Sequence, residues 1–160
     1  MLHITIIAVG RLKDDYLVKG AGEYLKRISP YAKVNIEEIA DERIPERPNL
    51  SEIERVKEIE GNRILSRLKE SAFLIALESK GASYSSEEMA AELQKLTTAG
   101  KSRITYVIGG SLGLSERILR RADMCLSFSG FTFPHQLFRL ILLEQIYRWF
   151  KINRGEPYHL

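Results

Sequence analysis

An α/β sandwich built on a mainly parallel sheet is the fold class this sequence predicts, and two patterns carry the prediction. Short aliphatic runs at 2–9, 73–77 and 104–108 lack the apolar–polar alternation of a half-exposed strand, so they suit strands buried on both faces. Between them lie longer stretches with apolar residues at helical spacing, so strands and helices alternate along the chain. With 160 residues, 44% apolar and 28% charged, the chain has the size and balance of a single domain, 1–160, that needs no disulfide or metal to fold.

Element by element, Leu2–Val9 reads as a buried strand ended by Gly10. Tyr16, Leu17, Tyr24, Leu25 and Ile28 fall at helical spacing over 15–28, and Pro30 stops that helix. Val34, Ile36 and Ile39 mark a second strand, and the proline-containing stretch 41–49 a surface loop. Ser51, with Glu54 three residues on, predicts a capped helix running to about residue 70, weakened by Gly61. Phe73–Leu77 is a short strand ended by Glu78-Ser79-Lys80-Gly81, and Ser86 starts a helix that finishes before Gly100. Ile104–Ile108 is a strand, Ser115–Ala122 a short helix, Met124–Phe128 a strand and Ser129–Pro134 a loop. The last helix spans roughly His135–Lys151, followed by a short tail.

That helix carries Leu137, Phe138, Leu140, Ile141, Leu142, Leu143, Ile146, Tyr147, Trp149 and Phe150 almost all round its axis. A helix apolar on every side must be covered on every side. One face suits the sheet, and a second copy of the chain suits the other, which predicts a two-fold homodimer; a deeply buried helix in a monomer is the alternative.

The single cysteine, Cys125, excludes an intrachain disulfide and suits a reducing, cytoplasmic setting. No apolar run approaches the ~18 residues a bilayer needs, so no membrane partner is expected. The three histidines lack metal-ligand spacing, so no metal is expected either. Charge is uneven: residues 1–60 hold 10 basic and 12 acidic side chains, residues 103–160 hold 8 and 4. Most of the late excess is arginine, whose planar fork suits phosphate, so nucleic acid is a candidate partner.

Ligands of open parallel sheets sit at the C-terminal ends of strands. Three such ends stand out, at 77–81, 109–115 and 126–135. The second is glycine-rich and could cradle a phosphate or simply turn tightly, but it matches neither a P-loop nor a dinucleotide fingerprint. The third mixes serine, glycine, threonine and aromatics, which suits hydrogen bonds and apolar walls for an adenine ring. His135, at a helix N-terminus, reads as structural, since that position disfavours an imidazolium. Glu144 and Arg148, spaced i,i+4 in an otherwise apolar helix, suit a partly buried ion pair.

Taken together, several segments resemble one family. They are Ile6-x-Ala8-Val9-Gly10-Arg11-Leu12-Lys13, Ile108-Gly109-Gly110-Ser111-x-Gly113, and Leu126-Ser127-Phe128-Ser129 with Thr132-Phe133-Pro134-His135. Leu143-Glu144-Gln145-x-Tyr147-Arg148 and Pro157-Tyr158-His159 complete the set. In order and spacing, over essentially the whole chain, the sequence resembles the ribosomal RNA large subunit methyltransferase H family of the SPOUT class.

The resemblance implies a C-terminal trefoil knot, which periodicity cannot reveal. It implies a homodimer, S-adenosyl-L-methionine (SAM) as cofactor, and a pseudouridine in the helix 69 loop of 23S rRNA, methylated at N3 on the assembled ribosome. By position, SAM would meet Leu77, Gly109 and the loop Phe128, Ser129, Gly130, Phe131, Thr132 and Phe133. His159 is the first candidate for the base, because imidazole titrates near neutral pH. Tyr158, Glu144 and Arg148 are its supporting candidates, and Arg148 and Arg154 the candidates for RNA phosphates. The competing reading is a non-catalytic ribosome-binding or assembly factor of the same fold.

Overall fold

The computed structural model covers residues 1–160 and contains five strands and five helices in alternation. These are β1 (Leu2–Val9), α1 (Asp15–Ile28), β2 (Ala32–Ile39), α2 (Leu50–Leu65), β3 (Phe73–Ser83), α3 (Ser86–Thr98), β4 (Arg103–Ile108), α4 (Glu116–Arg121), β5 (Met124–Ser127) and α5 (His135–Arg154). All strand pairings are parallel, in the order β2-β1-β4-β3-β5. The predicted fold class holds.

Strand alternation divides the core in two. Ile4, Ile6 and Ala8 of β1 join the larger cluster with Tyr106, Leu142, Leu143, Ile146 and Trp149, under α1, α3 and α5. Ile7 and Val9 join the smaller cluster with Val107, Ile64 and Ile118, under α2 and α4. Trp149 is 2% exposed, and truncating such a side chain to alanine costs about 3–5 kcal/mol.

Helix α5 lies between α1 and α3. Much of its all-round apolar surface is therefore covered within the chain. Leu137, Leu140 and Ile141 stay outside both clusters and are only half-buried.

The predicted start of α3 at Ser86 holds, but boundaries differ from the sequence reading in α2, which also ends at Leu65 rather than near residue 70, and in β3. Asn49, not Ser51, caps α2: its side chain accepts from Glu52 N at 2.8 Å, and Glu52 returns the bond to Asn49 N at 3.2 Å. Two overlapping Asn/Ser-x-x-Glu patterns compete here, and the earlier one satisfies the first free N–H groups of a helix that starts at Leu50. Ser85 caps α3 in the same way, with Glu88. Strand β3 does not end at Leu77. Leu77 and Ala82 both pair with Leu126, so residues 78–81 loop out as an enlarged bulge before the chain rejoins β5. A Cβ on Gly81 would lie 2.7 Å from the Cys125 carbonyl, so only glycine lets the strand close again.

Candidate active site

Strand register places the predicted cofactor segments side by side. Ile108 pairs with both Leu77 and Ala8, and Leu77 pairs with Leu126. The residues that follow, Gly109 after β4 and Phe128 after β5, therefore share one edge of the sheet with Leu77. That is the C-terminal edge, where parallel sheets bind ligands.

The glycine turn after β4 is compact. Gly113 N donates to Gly110 O at 3.0 Å, and Ser115 caps α4 through a 3.4 Å bond from Ile118 N. A Cβ on Gly109 would sit 2.9 Å from the Gly113 carbonyl carbon. Beneath the turn lies Glu60, 4% exposed. Its Oε2 accepts from Glu42 N at 2.9 Å, while Oε1 has no partner and would lie 3.1 Å from a Cβ on Gly110. Burial pushes this carboxyl above the usual range, against the bond from Glu42 N. The sequence reading missed Glu60, although its i±4 spacing from Val56 and Ile64 places it on the apolar face of α2.

The β5–α5 loop is pinned from within. Ser127 Oγ donates to Ser129 O at 3.3 Å, and Phe131 N donates to Ser129 Oγ at 2.9 Å. Gly130, Phe131 and Thr132 form the exposed arc, with Phe131 81% exposed. Phe128 and Phe133 turn inward, with ring centroids 5.0 and 6.2 Å from that of Phe138.

Beside this loop a cavity of about 220 Å³ opens between β5, α3 and α5. Phe128, Phe133, Met89 and Trp149 supply apolar wall; Ser86, Ser127 and Gln145 supply polar groups. Trp149 carries a buried N–H with no acceptor in the chain. Aromatic faces with a few polar groups fit an adenosyl group. The volume is below the ~300 Å³ of a typical small-molecule pocket, so a SAM-sized ligand would extend past it along the strand ends. Leu77 and Gly109 stand at those ends rather than in the cavity wall.

The four predicted catalytic residues come together although two lie in the tail. Glu144 accepts from Arg148 Nη2 at 2.8 Å and from Tyr158 Oη at 2.8 Å. Arg148 Nη1 lies 3.0 Å from His159 Nδ1, and His159 Nε2 lies 2.5 Å from Glu87 Oε1. Because the guanidinium can only donate, Nδ1 is the acceptor and the ring proton sits on Nε2, facing Glu87. Tyr158 packs on Tyr147, with centroids 4.8 Å apart, and the Arg148 guanidinium lies 4.8 Å from the Tyr158 centroid. Burial, the Tyr24 hydroxyl and Glu144 together push the Tyr158 phenol upward, so it stays a donor. The hydrogen bond to Glu144 likewise holds the Arg148 charge firmly in place. The cluster adjoins the cavity through Gln145, whose Oε1 accepts from Ser86 Oγ at 2.7 Å.

Arg154 stands apart from this cluster. It is exposed at the end of α5, 5.0 Å from the Tyr31 centroid, while Lys151 beside it pairs with Glu156 at 2.6 Å.

A second functional-looking residue escaped the sequence reading. Arg139 is 3% exposed and donates to Glu38 at 2.6 Å and to Gly10 O at 3.2 Å, tying α5 to the ends of β1 and β2. Partial burial opposes ionisation of Glu38, but bonds from Arg139 and from Leu12 N outweigh it and hold the carboxyl below its usual range. The available signal was a lone arginine inside an apolar helix face.

Residues 2–159 match the family model described as "Predicted SPOUT methyltransferase". The chain is 61% identical over 159 residues to the ribosomal RNA large subunit methyltransferase H of Pelotomaculum thermopropionicum, covering 99% of each chain. Proteins of the same name from Listeria monocytogenes serovar 1/2a and Carboxydothermus hydrogenoformans are 55% and 54% identical over 158 residues, again 99% of both chains. A solved putative methylase family protein from Neisseria gonorrhoeae superposes with a TM-score of 0.52 at 15% identity, over 98% of this chain and 85% of that one. A probable methylase family protein from Haemophilus influenzae Rd KW20 does so with 0.53 at 10%, over 99% and 70%. At such identities the two structures speak for the fold alone. The end-to-end match and the relatives of more than half identity carry the assignment: the chain belongs to the SPOUT methyltransferase family, within the ribosomal RNA large subunit methyltransferase H group.

Proposed function

We propose that this protein is a SAM-dependent rRNA methyltransferase that acts on N3 of a pseudouridine in the helix 69 loop of 23S rRNA. The assembled ribosome in the cytoplasm is the substrate. The name of the relatives supports an rRNA substrate, and the family supports methyl transfer. The observation that carries the reading is the joining of Glu144, Arg148, Tyr158 and His159 into one network beside the aromatic cavity of the β5–α5 loop. A trefoil knot and a homodimer belong to the same reading. The half-buried Leu137, Leu140 and Ile141 on α5 support the dimer, because they lie outside both cores.

SAM, when bound, supplies a methyl group on a sulfonium that is already an activated leaving group. The residues must then align the nucleophile and manage one proton. Phe128, Phe133 and Leu77, with the backbone at Gly109, would hold the cofactor. The N3 proton of the base must leave as the N–C bond forms. Nδ1 of His159 accepts it after Arg148 turns from the ring to an RNA phosphate. Glu87, already bonded to Nε2–H, then faces the imidazolium. Tyr158, fixed by Glu144, orients the target base.

The test is methyl transfer from radiolabelled SAM to ribosomes that lack the modification, with the site located by mass spectrometry of the rRNA. Label at a helix 69 pseudouridine is the expected result. Ribosome binding without label would leave the non-catalytic factor standing instead. Sedimentation of the purified protein at twice the monomer mass checks the dimer.

A further inference from the structure

A second polar feature lies far from the cofactor edge. Side chains of His3 and Thr5 on β1, Arg103 and Thr105 on β4, and Glu37 on β2 point to the same sheet face as the smaller core, by strand alternation with Ile7, Val9, Val107 and Ile39. Helices α2 and α4 cover only the C-terminal half of that face. Over the N-terminal half the chain leaving α2 brings Arg67 and Lys69 alongside the strands. The result is a shallow surface recess of about 20 Å³, lined by these residues and Ala72.

Its chemistry is one-sided. Register places His3 beside Arg103 and Thr5 beside Thr105, so a donor-bearing ring and two hydroxyls share the floor. Three permanent cations, Arg67, Lys69 and Arg103, stand round it, against the single carboxylate of Glu37. Asn35 donates to its Oε1 at 3.2 Å; its buried Oε2 accepts no hydrogen bond, and Arg67, 3.8 Å away, offsets its charge. Lys69 and Arg103 are exposed and form no ion pair or side-chain hydrogen bond within the chain. Paired hydroxyls beneath unpaired cations suit an oxyanion, and the shallow polar floor lacks the apolar walls a base or peptide side chain would need.

We propose that this recess seats a backbone phosphate of the RNA substrate, a positioning contact separate from the reacting base. It rests on the reading of this protein as an rRNA-modifying enzyme. Thr5 and Gly10 are five residues apart on one extended chain, so the contact lies roughly 15–20 Å from the cofactor edge. It therefore holds a different stretch of RNA from the one that is methylated. A backbone contact adds affinity and salt dependence without reading sequence.

The experiment compares wild type, Lys69→Glu/Arg103→Glu and the charge-keeping Lys69→Arg/Arg103→Lys for binding to purified ribosomes from about 50 to 300 mM KCl. Methyl transfer and SAM affinity are measured alongside. Both positions are exposed, so thermal melts of the three proteins should coincide. The acidic variant is expected to bind about tenfold or more weakly near 150 mM, with a log–log salt slope shallower by about one. Its KM for ribosomes rises while kcat and SAM affinity stay at wild-type values, and the charge-keeping variant behaves as wild type. Equal affinity and equal slope in wild type and acidic variant would overturn the phosphate seat. So would an equal loss in the charge-keeping variant. Wild-type protein that binds ribosomes but transfers no methyl group would defeat the proposed activity alone, because the seat is judged on affinity and slope.

Discussion

Arg148 donates to Nδ1 of His159 across 3.0 Å, and this one contact decides the histidine's tautomer. The lone pair that could take a proton lies under the guanidinium, and the N–H faces Glu87. His159→Ala should therefore cut methyl transfer by about 10²–10⁴-fold, the usual range for a lost acid–base group. SAM affinity, measured by calorimetry, should stay within about twofold. Deletion of residues 156–160 should behave alike. Wild-type turnover by either variant would reject His159 as the base.

Glu144 is the hub of the same network, accepting from Arg148, Tyr158 and the neighbouring Gln145 amide. Glu144→Gln removes the charge that fixes both Arg148 and Tyr158. The expected outcome is a fall of at least tenfold in kcat, with little change in Tm because the pair is partly exposed. A variant with normal kcat and a depressed Tm would assign Glu144 to stability only.

Gly109→Val strikes backbone rather than empty space, since its Cβ would meet the Gly113 carbonyl carbon at 2.9 Å. The turn itself must move, so the variant should lose SAM binding and also melt lower. Unchanged calorimetric titration with SAM would remove Gly109 from the cofactor site.

Arg139→Met leaves Glu38 and the Gly10 carbonyl without their shared donor. Glu38 is 40% exposed, so water recovers part of the loss. A cost of about 2–3 kcal/mol is expected, a drop in Tm of roughly 5–10 °C by scanning calorimetry. A melt within 1–2 °C of wild type would show that packing by methionine replaces the network, as buried ion pairs sometimes allow.

Glu60 predicts a pH effect of defined sign. Burial raises its folded pKa above the ordinary 4.5, with Asp41 and Glu42 adding charge repulsion and Arg63 opposing. The folded state then holds the proton more tightly than the unfolded chain. Its stabilising contribution is full below pH 4.5 and is lost as pH rises through the folded pKa. Glu60→Gln keeps an acceptor for Glu42 N but cannot ionise. Its stability advantage over wild type should be larger at pH 8 than at pH 5 in urea unfolding. The same advantage at both pH values would show that Glu60 stays in one protonation state.

The local pattern was enough for the alternation of elements, the parallel sheet and the two-faced core. Periods of two and 3.6 are properties of the backbone, and they reveal which residues must be buried whatever the partner. The loops at 109–113 and 128–133 were legible for a related reason: glycine and serine at strand ends mark close backbone turns. Helix caps were ambiguous, because Asn49/Glu52 and Ser51/Glu54 obey the same local rule and only the packed helix chooses between them.

Tertiary structure alone decided which distant groups meet. His159 finds Arg148 on the preceding helix and Glu87 on α3, 72 residues earlier; Arg139 finds Glu38 across 101. The bulge that carries β3 past Leu77, and the burial of Glu60 under the glycine turn, also depend on neighbours remote in sequence. The physical reason is one of range. Hydrophobic spacing acts within a few residues of itself, whereas a hydrogen bond or a shifted pKa depends on whatever the folded chain brings within about 3–6 Å.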